Sequence, residues 1–406
     1  MLKILVFAPD YHPTAGGYAN GITNMTRWLA GAGGCAVTVL TPKQLSGARE
    51  LAAENLAIHR LPAYPEILRG LNRLVYNRRL DVFFRDFFAR HSFDFLLIET
   101  FELPAISARL ASRCGLPPGK MAVRIHGCTE TEIYASARTL EHKLQFAQAK
   151  RLARRIPNIF STTQYYIDFF KKHYCGGDIY LADKNYAVLP TFPAYRTQEQ
   201  TETPSKMLDE LQKKGFACFL TLGRMDSVGY LQKNFELLAF ALKRLETKNN
   251  AVFKTIRVLL RGTGDYKPKF EEMLSRLGIR DSFIMLDYLS DGEMRALQRG
   301  VRATVLVSRF EGHSMFAAEA LEQGSPLIVS RNTGVSPLVA DGENGYLVSA
   351  DSPLELAAAL GKIVSADTSY MRRKSLEIFR NNFSGEVLLD KFAYYLEVFP
   401  HSLKCR

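Results

Sequence analysis

Two glutamates, Glu311 and Glu319, stand with seven residues between them, directly after a short apolar run. The first is predicted in a strand-to-helix loop and the second about two turns into the helix that follows. A carboxylate in the loop can hold sugar hydroxyls, and one further down the same face can accept both hydroxyls of a ribose. Either glutamate alone would be better explained as a helix cap or a solvated residue, so the prediction depends on the pair.

The loop between these glutamates carries groups that suit an anionic ligand. Gly312 allows a ligand to approach the backbone closely. The N–H groups of Ser314, Met315 and Phe316 are predicted to open the helix, where unpaired donors attract negative charge. Together with His313, these residues form a predicted donor-binding segment.

A second motif pairs two cations. Gly223 and Arg224 follow an apolar run, and Lys233 comes nine residues after Arg224 at the start of a helical pattern. An arginine fork and a lysine point charge at the end of a strand can clamp a diphosphate. Surface cations are common, however, so this pair carries little weight without the other motifs.

Three further positions follow predicted strands. Gly17 ends a segment that links the first strand to a helix, although the segment lacks the G-x-G-x-x-G pattern and a tight turn explains it equally well. His126 follows the strand 122–125, so its imidazole is expected to point into a cleft, although a lone histidine is more often structural. Gly262 and Gly264 form a turn where a base or phosphate could approach closely.

These residues need a scaffold, and the sequence alternates strand-length apolar runs with helical patterns, as parallel sheets covered by helices do. Seven strands are predicted in the first half, at 3–8, 36–40, 57–61, 95–98, 122–125, 159–161 and 187–189. Six follow in the second half, at 219–222, 258–260, 283–286, 304–307, 327–329 and 346–348. The pattern predicts an α/β protein of two Rossmann-like, doubly wound domains that face each other across a cleft.

The predicted domain boundary lies in 190–204, where prolines and a polar run interrupt the periodic pattern. We take 1–192 as an N-terminal and 193–380 as a C-terminal Rossmann-like domain. Residues 381–406 are predicted to form a helix whose apolar face packs back on the first domain.

The composition is that of a globular protein, with 47% hydrophobic and 23% charged residues. No stretch reaches the ~20 apolar residues of a membrane span, and no signal-peptide pattern is present. The six cysteines are scattered, so neither a disulfide framework nor a zinc site is expected. These features predict a cytoplasmic protein.

The net charge of +12 is unevenly distributed, since residues 1–190 contain 24 Lys and Arg against 15 Asp and Glu. A basic excess suits a phosphate-bearing substrate, an anionic membrane surface or nucleic acid. No nucleic-acid-binding motif accompanies it, so no nucleic-acid partner is expected.

In this order along the chain, the motifs resemble the retaining glycosyltransferases of family 4 (glycosyltransferase group 1), which have the GT-B fold. The resemblance includes a late D-G-x-N-G-x-L-V segment at 341–348 and covers nearly the whole chain. It implies an enzyme that moves a hexose-type sugar from a UDP- or GDP-sugar to a glycan or lipid-linked acceptor, in bacterial surface polysaccharide or glycolipid synthesis. It also implies that 1–192 is the acceptor domain and that 193–380 binds the nucleotide-sugar donor.

The same resemblance assigns roles to the motif residues. It implies that Glu311 contacts the donor sugar and Glu319 the ribose, while Arg224 and Lys233 hold the diphosphate. His126 is then expected to contact the sugar near the reacting carbon. The predicted catalytic residues are the four named here apart from Glu319: His126, Arg224, Lys233 and Glu311.

Gly17 is implied to offer its amide to a phosphate or to the acceptor.

The sequence also departs from the family, because Gly-His-Ser-Met follows Glu311 where many relatives have Gly-Phe-Gly. In addition, Ser336-Pro337-Leu338 follows Gly334-Val335, so the family's frequent glutamate after Gly-x-Pro is missing. Donor identity therefore does not carry over from the resemblance.

The alternative glycosyltransferase fold usually binds a metal ion and the diphosphate through a D-x-D motif. No D-x-D occurs in this sequence. Preorganised cations and helix-start amides can neutralise a leaving diphosphate electrostatically. No metal or other cofactor is therefore expected. Since no nucleophile is evident, the resemblance implies front-side transfer with retention, in which the leaving phosphate takes the acceptor's proton.

Two other classes of function remain open. One is a sugar-nucleotide-binding partner protein without transfer activity, although the complete set of motif residues weighs against it. The other is a GT-B enzyme of another kind: a phosphorylase would need a cofactor lysine that the sequence does not reveal, and an epimerase would consume its sugar nucleotide without an acceptor.

Residues 64–90 mix arginines with leucines and phenylalanines at helical spacing. Such a helix can lie in a membrane interface, with arginines on anionic lipid. The same aromatics suit packing on the domain's sheet equally well, and the sequence leaves both interpretations open. The first would place the protein peripherally on the inner face of the plasma membrane, beside a lipid-linked acceptor.

Overall fold

The computed structural model divides the chain into two compact units, Met1–Tyr195 with Ser384–Arg406, and Arg196–Phe383. The sequence placed these boundaries at 192/193 and 380/381. The residues described are 1–14, 16–32, 34–42, 54–62, 71–101, 103–126, 140–172, 181, 184–194 and 205–402. The backbone alone is described in 71–74, 140–146 and 399–402.

A parallel sheet of seven strands forms the centre of the first unit. Its strands are β1 (Leu2–Phe7), β2 (Cys35–Thr41), β3 (Leu56–Arg60), β4 (Phe95–Ile98), β5 (Met121–Ile125), β6 (Asn158–Ser161) and β7 (Asn185–Val188). They lie in the order β3-β2-β1-β4-β5-β6-β7. Residues 4–7 of β1 are fully buried, as expected for a central strand covered on both faces.

Helices connect these strands. They are α1 (Gly17–Gly31), α2 (Leu71–Arg90), α3 (Pro104–Arg113), α4 (Leu140–Arg155) and α5 (Gln164–Phe170). The strand order reverses between β1 and β4, so the loops that leave these two strands flank the switch point where ligands bind in open α/β sheets.

The second unit has a parallel sheet of six strands. These are β8 (Ala217–Leu222), β9 (Ile256–Arg261), β10 (Phe283–Leu286), β11 (Ala303–Leu306), β12 (Leu327–Ser330) and β13 (Gly345–Val348). Their order is β10-β9-β8-β11-β12-β13, so the switch point lies between β8 and β11. Within the described residues every predicted strand occurs, displaced by at most two residues at an end, and the doubly wound fold is confirmed.

Nine helices are described in the second unit, and one more at the end of the chain belongs to the first unit. The nine are α6 (Lys206–Lys213), α7 (Ser227–Lys233), α8 (Phe235–Lys248), α9 (Asn250–Thr255), α10 (Lys267–Arg276), α11 (Asp291–Gly300), α12 (Met315–Glu322), α13 (Pro353–Ser365) and α14 (Ser369–Asn382). The last is α15 (Gly385–Ser402).

Helix α15 packs on the first unit through its apolar face. Phe392 is buried, with its ring centroid 6.4 Å from that of Phe95. At the start of the helix, a Cβ on Gly385 would lie 2.3 Å from the Trp28 indole. A side chain larger than hydrogen would therefore displace either the helix or the indole.

Helix α2 contains most of the arginine-rich segment, while 64–70 lie outside the described residues. Leu80, Phe84 and Phe87 are buried in the core of the first unit. These side chains are therefore not available for a membrane interface, because their face of the helix covers the sheet. Val75 and Val82 are exposed on α2.

Candidate active site

The second unit brings the two sequence motifs together at its switch point. The loop with Arg224 leaves β8, and the loop with Glu311 leaves the neighbouring strand β11. Parallel strands end at the same edge of a sheet, so both loops start side by side.

Lys233 and Glu311 form a direct ion pair there. Lys233 Nζ lies 2.5 Å from Glu311 Oε2, and the two side chains are 17% and 11% exposed. The hydroxyl of Ser308 donates to the same carboxylate oxygen at 3.1 Å. The carboxylate is therefore held by one oxygen, beside a largely desolvated ammonium group.

Gly223 and Asn234 fix the position of Lys233. A Cβ on Gly223 would lie 2.5 Å from Lys233 Cγ, so a glycine is needed for the lysine stem to pass. Asn234 follows with φ 57°, in the left-handed region that asparagine tolerates. Its buried amide donates to the carbonyls of Val307 (3.1 Å) and Ala350 (2.8 Å).

Sequence reasoning missed this role of Asn234. The available signal was an asparagine at the end of a short helical pattern, a position that favours a left-handed cap. By bonding to the residue that follows β11, Asn234 fixes the end of α7, and hence Lys233, to the strand that leads to Glu311.

Arg224 is placed differently from Lys233. Its side chain is 68% exposed, and its guanidinium lies 3.3 Å from Asp226 Oδ2. Asp226 also caps α7 by accepting a hydrogen bond from the N–H of Gly229 at 2.7 Å. Arg224 therefore stands at the beginning of α7 with freedom to reorient towards an anion.

The two glycines predicted to approach a ligand pack against protein backbone. A Cβ on Gly264 would lie 2.3 Å from the carbonyl carbon of Met225, and one on Gly262 would lie 2.8 Å from Gly223 O. The N–H of Met225 donates to Thr263 O at 2.9 Å. This loop-to-loop packing explains both glycines, and their contact with a donor stays a prediction.

Glu319 lies nearer the start of its helix than the sequence suggested. Helix α12 begins at Met315, so Glu319 is just over one turn in, and the prediction of two turns was wrong. The helix opens where the sequence predicted, with Ser314 as the N-cap whose side chain accepts from Ala317 N, and the five residues Met315–Glu319 make up only about 1.4 turns. Glu319 is half-buried.

The other residues of the predicted donor-binding segment pack against neighbouring parts of the second unit. A Cβ on Gly334 would lie 2.2 Å from Gly312 O, so the loop after β12 rests directly on this backbone. Phe316 is buried in the core and can serve a ligand through its N–H group. The His313 ring lies 6.1 Å from that of Phe383, and Met315 is half-buried.

In the first unit, His126 follows β5 and contacts a residue that sequence reasoning missed. The imidazole Nε2 makes a short hydrogen bond with Glu99 Oε2, and Glu99 is fully buried after β4. Arg124, also fully buried, lies 3.6 Å from the other oxygen of that carboxylate. The one available signal was a glutamate directly after an apolar strand.

The charge state of Glu99 follows from these neighbours. Burial raises the pKa of the Glu99 carboxyl, but the charges of Arg124 and His126 outweigh this effect and hold the pKa below its ordinary value. The carboxyl is therefore ionised at neutral pH.

Gly17 is the first residue of α1 and is exposed.

The described residues contain no group of three or more His, Cys, Asp and Glu side chains that could hold a metal ion. Among the same residues, none of the helices combines the length and apolar character needed to cross a membrane.

This fold defines a class of protein, the glycosyltransferases of GT-B type. The sequence model "Glycosyl transferases group 1" matches residues 208–381, and "Glycosyl transferase 4-like domain" matches residues 16–174. The two matches take up most of the chain, one in each unit. The chain belongs to the group 1 glycosyltransferase family.

One curated relative is the MMP alpha-(1->4)-mannosyltransferase of Mycolicibacterium hassiacum, 32% identical over 116 residues. This match covers 27% of the chain and 28% of the relative. The chain matches between 21% and 33% of the length of such relatives, several of which are D-inositol 3-phosphate glycosyltransferases.

Solved structures match over nearly the whole chain. Sucrose-phosphate synthase from Thermosynechococcus elongatus has a TM-score of 0.74 at 16% identity, with 98% of this chain and 99% of that chain covered. HepE from Anabaena, in complex with UDP, has a TM-score of 0.71 at 14% identity, with 98% and 100% covered. At such identities the likeness shows the GT-B fold alone.

Proposed function

We propose that the protein transfers a hexose-type sugar, with retention, from a UDP- or GDP-sugar to a glycan or lipid-linked acceptor. The observation that carries the proposal is the Lys233–Glu311 pair, which sets a cation and a carboxylate 2.5 Å apart at a switch point, where ligands bind in open α/β sheets. Family membership and a structural neighbour solved with UDP support a nucleotide donor.

The donor's diphosphate lies between the two cations in this proposal. Lys233 has three N–H donors, so it can keep its bond to Glu311 and still meet a phosphate oxygen. Arg224 is exposed and reorients from Asp226 to the phosphates. The first N–H groups of α12 add further donors, and Glu319 accepts the ribose hydroxyls.

The reaction exchanges one bond at the anomeric carbon for another. The acceptor oxygen bonds to that carbon on the face from which the phosphate oxygen departs, so configuration is retained. The acceptor's proton passes to the departing phosphate, while Arg224 and Lys233 stabilise the charge that develops there. Glu311 and His126 hold the sugar, and the amide of Gly17 serves the acceptor or a phosphate. None of these steps requires a metal.

The acceptor belongs to bacterial surface polysaccharide or glycolipid synthesis in this proposal, and the protein is cytoplasmic. The exposed side of α2 supplies a peripheral contact with anionic membrane. It carries Arg78, Arg79 and Arg85 beside Val75 and Val82, and its acidic neighbour Asp86 is paired with Arg85. This surface is smaller than the sequence suggested, because the aromatic residues face the core.

The donor proposal is tested by measuring the melting temperature of the protein with UDP, GDP and a panel of their sugar conjugates. We expect one base to raise the melting temperature, with a further rise for one sugar conjugate. The variant Glu311→Gln should keep the rise with the free nucleotide and lose the additional rise with the sugar conjugate. No shift with any nucleotide would contradict the proposal. Consumption of the sugar nucleotide without an acceptor would identify an epimerase.

A further inference from the structure

We propose that Ser308 is a positioning residue for Glu311. Its hydroxyl holds one carboxylate oxygen, Oε2, beside Lys233, so that the other oxygen, Oε1, is left to accept hydrogen bonds from the donor sugar. This inference rests on the proposed function, in which Glu311 holds that sugar.

The loop after β11 brings Ser308 and Glu311 together. Ser308 lies two residues beyond the end of the strand and is 1% exposed, and a bend at 309–310 brings Glu311 back towards it. The Ser308 hydroxyl donates to Glu311 Oε2 at 3.1 Å. Because the serine is buried at the end of an interior strand, its oxygen is a fixed point for the carboxylate.

The backbone on either side of Glu311 is anchored as well. The N–H of Arg309 donates to Gln232 O at 2.9 Å, and the side-chain amide of Gln232 donates to Phe310 O at 3.2 Å. The carbonyl of Glu311 accepts from the N–H of Gly334 at 2.7 Å. The rotation of the Glu311 side chain is therefore the freedom that remains to be fixed.

Lys233 alone would not select between the two carboxylate oxygens. An ammonium group is a compact point charge with rotatable donors on a flexible stem, so it can bond to either oxygen or to both. The short side chain of Ser308 reaches only the oxygen next to it. With the serine in place, Oε2 accepts from both residues, and a carboxylate oxygen has about two lone-pair sites.

The second oxygen of Glu311 is left for a ligand. Among the residues that the structure describes, none donates a hydrogen bond to Oε1, and this atom is not sealed from solvent. Lys233 bonds to Oε2 through one N–H and can bond to a phosphate through the others. Ser308 thereby separates two tasks, since the carboxylate serves the sugar through Oε1 and the ammonium serves the diphosphate.

Binding measurements with Ser308→Ala test this separation. The free nucleoside diphosphate and its sugar conjugate, chosen by thermal shift, are each titrated into the protein by isothermal calorimetry. We expect the Kd for the free nucleotide to stay within about threefold of the wild type, while the Kd for the sugar nucleotide rises about 10-fold, as for the loss of one hydrogen bond to a charged group. Equal losses for both ligands would contradict the proposal.

The matched control is Ser325→Ala. It removes another buried hydroxyl of the second unit, which lies 2.9 Å from the hydroxyl of Thr304 near the start of β11. This variant has the same chemical change at the opposite end of the same strand. It should therefore change neither Kd.

Monodeoxy sugar nucleotides test whether Ser308 acts through Glu311. The analogue that lacks the hydroxyl bonded to Glu311 should bind the wild type about 10-fold more weakly than the full sugar nucleotide. With that analogue Ser308→Ala should cost nothing further, because the group for which the carboxylate is oriented is absent. The same loss in Ser308→Ala with the full sugar nucleotide and with every analogue would contradict positioning through Glu311.

Crystal structures test the orientation without any ligand. In the wild type we expect one conformer of Glu311, bonded to Ser308 and Lys233 through Oε2. In Ser308→Ala we expect a rotated carboxylate or more than one conformer, and an unchanged carboxylate would overturn the proposal. A wild type that binds no sugar nucleotide would refute the proposed function, while the crystal structures would still decide whether Ser308 orients Glu311.

Discussion

Lys233 Nζ and Glu311 Oε2 lie 2.5 Å apart, although the two residues are separated by 78 positions in the sequence. Lys233 ends the short helix α7 that follows β8, and Glu311 lies in the loop that follows β11, so the two residues come from the two strands that flank the switch point of the second sheet. This contact joins one residue from each of the two sequence motifs, so in the proposed function a single connected set of side chains binds the diphosphate and its sugar.

Removal of either clamp cation should reduce turnover far more than stability. We expect Arg224→Ala and Lys233→Ala each to lower kcat about 100-fold or more, because both charges oppose the leaving diphosphate. Steady-state rates and melting temperatures are compared with those of Lys243→Ala, which removes a lysine from a surface pair with Glu246. Near-normal rates in both clamp variants would refute the clamp.

Glu319→Ala should weaken binding of the nucleoside diphosphate by about 1–3 kcal/mol, since a ribose would lose its hydrogen-bond acceptor in a half-buried site. Isothermal calorimetry measures this loss. Glu322→Ala, at the end of the same helix, is the matched control and should bind normally. An unchanged affinity in Glu319→Ala would remove this residue from the site.

Sugar transfer should continue when divalent metal ions are removed by a chelator. We expect rates in EDTA to equal those without it, because Arg224, Lys233 and the start of α12 stabilise the leaving group. The measurement is product formation after dialysis against EDTA, with and without added Mg²⁺. Complete loss that Mg²⁺ restores would overturn the metal-independent mechanism.

Binding to anionic vesicles should depend on the arginines of α2. Each basic residue near an anionic surface contributes about 1 kcal/mol, so replacing two arginines with glutamate should abolish co-sedimentation at low salt. The variant is Arg78→Glu/Arg79→Glu, with Lys213→Glu/Lys214→Glu in the second unit as control. Both should bind sugar nucleotide normally. A wild type that does not co-sediment would favour a soluble acceptor.

The strands were predictable because buried parallel strands are continuous apolar runs, a signal that needs no tertiary information. The burial of the apolar side chains of α2 was not predictable. Helical spacing groups Leu80, Phe84 and Phe87 on one face of the helix, but it does not show whether the sheet or lipid covers that face. Packing on the sheet decided this question.

Motifs of fixed spacing, such as Glu311 with Glu319, can be found in the sequence alone, and the roles assigned to these residues stay predictions. The depth of Glu319 in α12 was overestimated although the start of the helix was predicted correctly, because the five residues from Met315 to Glu319 form about 1.4 turns rather than two. Glu99 and Asn234 were missed because each contacts a partner that lies far away in the sequence, His126 for Glu99 and Val307 for Asn234. A single glutamate or asparagine in a sequence does not reveal such a partner.

The central claim is retaining transfer from a nucleotide sugar held by Lys233 and Glu311. Its most direct test is proton NMR of a reaction that contains the donor identified by thermal shift and a mixture of free, phosphorylated and lipid-linked sugar acceptors. The anomeric coupling constant reports the configuration of the new bond. We expect a new glycoside with the anomeric configuration of the donor, formed by the wild type and absent with Lys233→Ala. A product of inverted configuration, or an equal yield from the Lys233 variant, would contradict this account.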